Sequence, residues 1–261
     1  MEKDTAYIQA VCAQLGDFGL CATPLPRRQH SKTPDILVEH DHERVVIEVK
    51  DKQEDPGRLL EESKTLVRGG IYSFSESANQ MNRISSRIKE GTRQLRAWQH
   101  ADFRVLWFRV SGKFADLRAI QIGASLYGIR QLINRKPGGE ARDCYYFAHS
   151  DFIKWRSCLD AVVIHRDDTG SAYILPNSSS EQYDRLLGSC LCRAFGSAVW
   201  LPETMERRRE IFLVPPGERL GLGNGEELIR YLNRRYGADL IPVDLRFHSG
   251  WIQAGTDSWR L

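Results

Sequence analysis

The chain has no apolar run long enough to cross a bilayer, and Met1-Glu-Lys-Asp4 lacks the apolar core of a secretory leader. Its six cysteines form no Cys-x-x-Cys pair and no zinc-ribbon spacing. Cys12, Cys21, Cys144, Cys158, Cys190 and Cys192 sit in apolar runs, which predicts reduced core residues of a cytoplasmic protein. The excess of one sign of charge is small. Lys and Arg number 37 against 34 Asp and Glu, a net +3, so any polyanion-binding surface has to be a local patch. No Gly-Lys-Ser/Thr is present, which excludes a P-loop at Gly221–Gly225, and no Gly-x-Ser-x-Gly supports a triad built on Ser178, Ser179 or Ser180. Internal repeats and low-complexity tracts are also lacking.

What is present suits a packed core. Of 261 residues 41% are hydrophobic, with 10 Phe and 6 Trp, enough for one large domain or a core with an appendage. The most informative stretch runs from Thr33 to Lys50. Ile36-Leu37-Val38 and Val45-Val46-Ile47 are β-prone, and His40-Asp41-His42-Glu43 supplies a turn between them. A turn centred on Asp41-His42 pairs position 36 with 47 and sets Asp35 across from Glu48. Like charges facing each other across a ladder are destabilising and call for a cation. The period of two puts Lys50 on the face of Glu48. Two carboxylates and an ammonium therefore converge at one end of the hairpin. Such a set suits Mg²⁺, which takes oxygen ligands from one or two carboxylates and completes its shell with water and phosphate oxygens. The bland alternative is an exposed hairpin with a solvated charged face.

Pro34-Asp35 followed by Glu48-Val49-Lys50 on the next apolar strand resembles the signature of the PD-(D/E)xK nuclease superfamily, the restriction-endonuclease-like fold. The resemblance is closest over the hairpin and extends in order and type of elements to about residue 110. It implies an α/β fold: a restriction-endonuclease-like core with a central mixed sheet flanked by helices, plus a C-terminal α+β extension. It further implies Asp35 and Glu48 as metal ligands with the Val49 carbonyl, Lys50 as the catalytic lysine, and Mg²⁺, or Mn²⁺ in its place, as cofactor. Several branches of the superfamily carry a glutamine on the helix after the lysine strand with an aromatic four residues on. Gln94-Leu-Arg-Ala-Trp98 has that shape, with Trp for the usual Tyr, and makes Gln94 a site candidate.

Around the hairpin, apolar spacing predicts a first helix over residues 3–18 and a strong amphipathic helix over 79–98. The second carries Arg83, Arg87, Lys89, Arg93 and Arg96 against a single acid, Glu90, while Gly91 on its apolar stripe allows close approach to a sheet. Arg27, Arg28 and Lys32 form a basic loop ahead of the hairpin. With Arg83, Arg87 and Arg93 they are candidates for holding a phosphate backbone, against the alternative of solvated charge. Phe103–Val110 reads as a buried central strand. A short helix is expected at 58–67, where solvated charge is favoured for Glu61 and Glu62 over an approach to the metal, with loop at 69–70 and 73–77, helix at 115–132, a strand at 144–147, a second hairpin at 159–175, and helices at 183–195 and 226–236. Asp160 and His165 on that second hairpin fall on opposite faces, so core packing is favoured there over a metal site.

These readings divide the chain into a nuclease core over 1–115, an α+β elaboration or continuation of the core over 116–201, and a basic C-terminal segment over 202–261. They point to a Mg²⁺-dependent DNA endonuclease of restriction, phage defence or repair, with DNA and other proteins of such a system as partners, a homodimer open and no membrane. The alternatives are a catalytically silent nucleic-acid-binding module and a protein-interaction component.

Overall fold

The computed structural model describes residues 2–26, 33–52 and 56–253. In chain order its elements begin with α1 (Glu2–Asp17), β1 (Ala22–Pro24), β2 (Ile36–His40), β3 (Glu43–Lys52), α2 (Pro56–Val67) and β4 (Ile71–Ser77). Next come α3 (Asn82–Arg96), β5 (Phe103–Val110), α4 (Ala115–Tyr127), β6 (Arg130–Asn134), β7 (Ala141–Tyr145), α5 (Asp151–Lys154), β8 (Ala161–Arg166) and β9 (Ala172–Pro176). The chain ends with α6 (Tyr183–Leu187), α7 (Cys190–Phe195), α8 (Pro202–Arg207), β10 (Phe212–Leu213), α9 (Pro216–Gly221), α10 (Gly225–Tyr236), β11 (Leu240–Val243) and β12 (Phe247–Gln253).

The protein is α/β, with a large mixed sheet flanked by helices. Six strands lie in the order β1-β2-β3-β5-β8-β9. The central three, β3, β5 and β8, are parallel, and β1, β2 and β9 run antiparallel to their neighbours. Parallel neighbours need crossovers, and these carry helices onto the sheet: α3 between β3 and β5, α4 between β5 and β8. Alternation along the strands then divides the core in two. Val46, Leu106, Phe108, Val110, Val162 and Ile164 meet Ile84, Ile88 and Leu95 of α3 and Ala119 and Ile122 of α4. On the opposite face Ile36, Val38, Ile47, Val105, Trp107 and Val163 meet Ile8, Val11 and Leu15 of α1 and Leu191 and Phe195 of α7. β5 is buried on both faces, as its nearly unbroken apolar run requires.

The hairpin forms in the register that its pattern predicts. Ile36 pairs with Ile47, and Asp41 and His42 carry the two positive φ angles, 50° and 65°, of a two-residue type I′ turn. Strands β8 and β9, from the 116–201 stretch, lie in the same sheet as the hairpin. A second sheet has the order β10-β7-β6-β11, and β4 and β12 form a separate two-stranded ribbon.

Several local expectations are corrected. The helix expected to reach residue 132 ends at Tyr127, because Gly128 takes the left-handed conformation (φ 61°), and β6 follows. The stretch 73–77, expected as loop, belongs to the strand Ile71–Ser77, since β12 supplies a partner that its serine-rich sequence does not announce. The helix expected over 183–195 breaks at Gly188-Ser189, where Ser189 caps α7 by accepting from the Cys192 N–H. The six cysteines are unpaired, but Cys21 is exposed and Cys12 only half-buried. Among the described residues no helix is long and apolar enough to cross a membrane.

Candidate active site

Asp35, Glu48 and Lys50 come together at the carboxyl end of β3, beneath α3. Strand geometry explains how. The β2–β3 register ends with Ile36 facing Ile47, and the Asp35 N–H donates to that same Ile47 carbonyl (3.0 Å), which ties Asp35 to β3 beside Glu48. The ladder then stops, and the Val49 N–H donates to Asp35 Oδ2 (3.0 Å) instead of to a backbone carbonyl. In a strand a residue's N–H and C=O point to the same side, so the Val49 carbonyl also faces the ground beyond the end of β2.

Lys50 leads from the buried carboxylates to the helix. Its Nζ lies 2.8 Å from Glu48 Oε1, donates to Gln94 Oε1 at 2.9 Å and lies 3.7 Å from Glu90 Oε1. Glu90 in turn meets Arg87 at 3.2 Å. The helical stripe 87, 90, 94 thus overlies the strand pair 48, 50. Gly91 makes the approach feasible, since a Cβ there would fall 3.2 Å from Lys50 Cε and 3.4 Å from Glu48 Cγ. Asp35, Glu48 and Lys50 are buried, while the Glu90 side chain, 52% exposed, carries the cluster to the surface.

The electrostatics of Glu48 are unusual. Burial pushes its carboxyl up from 4.5 to about 8, and the adjacent Asp35 charge pushes the same way, against the pull of Lys50. Its Oε2 is buried and has no hydrogen-bond partner among the described residues. A buried carboxylate oxygen without a partner is costly, and a second carboxylate beside it compounds the cost. A cation would relieve both. No group of three or more His, Cys, Asp or Glu converges among the described residues, so the protein oxygens at hand are the two carboxylates and the Val49 carbonyl. That donor set, hard, anionic and short of a full shell, fits a divalent cation such as Mg²⁺ that keeps several waters.

The structure thus brings Asp35, Glu48, Lys50 and Gln94 together, with the Val49 backbone alongside. Arg83, Arg87 and Arg93 are exposed on α3, and Arg87 joins the cluster through Glu90. Arg27, Arg28 and Lys32 lie outside the described residues. Of the two acids weighed as metal neighbours against solvated helix charge, Glu61 is exposed and Glu62 turns to Lys113 (2.7 Å) just past the end of β5. In the sequence Glu90 stands out only as a lone acid on a basic helix. The signal that could have singled it out is its place one turn before Gln94. Asp160 and His165 do not meet: Asp160 accepts from the Arg104 N–H (2.8 Å) and from Ser180, whereas His165 packs against Trp107.

No family model, no curated protein and no solved structure matches the chain.

Proposed function

We propose that the protein is a metal-dependent nuclease of the PD-(D/E)xK, restriction-endonuclease-like kind, hydrolysing phosphodiester bonds of DNA as an endonuclease. The observation that carries this reading is the meeting of Asp35, Glu48 and Lys50 at the end of β3, with Glu48 Oε2 left without a partner. Asp35, Glu48 and the Val49 carbonyl would hold the cation, Mg²⁺ or Mn²⁺. When bound, it supplies charge neutralisation at the phosphate and activation of water.

In the reaction water attacks phosphorus, the bond from phosphorus to one sugar oxygen breaks, and a phosphate monoester and a free hydroxyl result. Lys50 places its ammonium where negative charge grows on the phosphate oxygens. Gln94 fixes that ammonium by accepting a hydrogen bond from it, and Glu90 balances its charge at the surface side. Arg83, Arg87 and Arg93 on the exposed face of α3 hold the flanking phosphates, a contact that positions the strand without reading its sequence.

The test is incubation of the purified protein with linear, supercoiled and single-stranded DNA in Mg²⁺, Mn²⁺ or EDTA. Cleavage is expected only with metal, and Glu48→Ala or Lys50→Ala should abolish it while salt-sensitive DNA binding persists. Cleavage that survives both substitutions refutes the site. Binding without cleavage in every metal would instead favour a silent nucleic-acid-binding module.

A further inference from the structure

A cavity of about 620 Å³ lies between α4, the second sheet and β9. It is separate from the carboxylate cluster, since β9 lies three strand steps from β3, about 14 Å at the usual spacing. Gln131 pairs in register with Asp143, and Tyr145 lies two residues beyond, so one face of the β6–β7 hairpin turns these three toward the space. Tyr173 and Trp200 stand on the other side with ring centroids 6.4 Å apart, and Trp200 is 42% exposed. Tyr145 and Trp200 both line the space.

Three features mark this cavity. Arg246, its side chain 10% exposed, pairs with Asp143 through Nε (3.3 Å), yet its Nη1 is buried without a hydrogen-bond partner among the described residues. Gln131 Oε1 is in the same position. Gly123 lines the cavity in the interior of α4, where glycine costs helix stability relative to alanine, and nothing lies within 4 Å of a Cβ built on it. No neighbour requires glycine there. What a side chain would occupy is the cavity itself.

The polar groups form a donor and an acceptor beside aromatic rings, and the Asp143–Arg246 pair is neutral overall. That combination suits an uncharged planar heterocycle with an amide-like edge better than an anion or an aliphatic chain. We propose that this cavity binds a nucleobase, which stacks on Trp200 and Tyr173 and satisfies Arg246 and Gln131 along its polar edge. Arg246 and Gln131 both line the cavity, and the Gln131 amide can present either its oxygen or its nitrogen. The base can come from a free nucleotide or from a strand out of which it is turned.

Calorimetric titration distinguishes the two sources. The probes are the four deoxynucleoside monophosphates, deoxyribose 5-phosphate as the control without a base, and a duplex with one mismatch beside its matched counterpart. Saturable binding of monophosphates over deoxyribose phosphate supports a free nucleotide. Preference for the mismatched duplex supports a base taken from a strand. In either case Gly123→Leu, which fills the cavity and improves the helix, should weaken binding at least about tenfold without lowering the melting temperature. Gln131→Leu removes one buried unpartnered atom and should act the same way, so the test stands even if one variant fails to fold. Equal binding of deoxyribose phosphate overturns the proposal, as does binding unchanged in both variants or no binding of any probe. DNA cleavage is not part of the readout, so this proposal and the nuclease reading fail separately.

Discussion

Replacing Glu48 by glutamine should stabilise the metal-free protein. The carboxyl is buried beside Asp35 and titrates near 8 instead of 4.5. Between those two values the unfolded chain has released this proton and the folded chain keeps it, so the native state binds one proton more. Stability then falls as pH rises through that window, by about 1.4 kcal/mol for each pH unit. The whole interval from 4.5 to about 8 bounds the cost at about 5 kcal/mol. Water entering the site lowers this, and a gain of about 2–3 kcal/mol is expected for Glu48→Gln above pH 8. Glutamine has the same shape, keeps an acceptor for Lys50 and can turn an N–H toward Asp35. For a chain of this size the gain corresponds to a rise in melting temperature of about 4–12 °C. The assay is thermal unfolding of both proteins in EDTA at steps between about pH 5 and about pH 9. The gap should be small at the acid end, widen through the window and level off above it. Added Mg²⁺ should raise the wild-type melting temperature and leave that of the variant unchanged. A variant that melts lower at the alkaline end, or a gap independent of pH, refutes the reasoning.

Other positions give independent tests. A Cβ at Gly91 would lie 2.4 Å from Leu106 Cδ2, a fully buried core atom group, so Gly91→Ala should cost about 1–2 kcal/mol in denaturant melts despite its better helix propensity. Displacement of α3 should also slow DNA cleavage, and a variant as stable and active as the wild type would show that the helix does not need this approach. Gln94→Met keeps the volume but removes the acceptor for Lys50, and should lower the cleavage rate about 10–100-fold with DNA affinity unchanged. Equal loss of affinity would place Gln94 in DNA binding instead. Asn177, fully buried, donates to the carbonyls of Phe152 (3.1 Å) and Leu159 (2.7 Å), so Asn177→Ala should destabilise by about 2–4 kcal/mol through the two unpartnered carbonyls it leaves. Urea melts with an unshifted midpoint would rule this out.

The sequence by itself determined what local rules govern. Alternation along 36–38 and 45–47 with a two-residue turn set the hairpin and its register, and from the register followed the facing of Asp35 and Glu48 with Lys50 beside them. The stripe Ile84, Ile88, Gly91, Leu95 set α3 and its buried side, and the apolar run 103–110 set β5 at the centre of the sheet. Only the tertiary structure decided the rest. It paired β4 with β12 from the far end of the chain, where serines in one strand give no periodic signal of the other. It ended α4 at Gly128, where a Cβ would lie 2.5 Å from the Ala148 carbonyl oxygen. It joined Glu90 and Arg87 to the lysine, left Glu48 Oε2 without a partner, and opened a cavity between two sheets whose strands come from distant segments. Residues a turn or a strand pair apart are fixed by backbone periodicity, which a sequence displays directly. Burial and the energies of buried charges depend on which distant segments pack above them, and that is a property of the assembled fold.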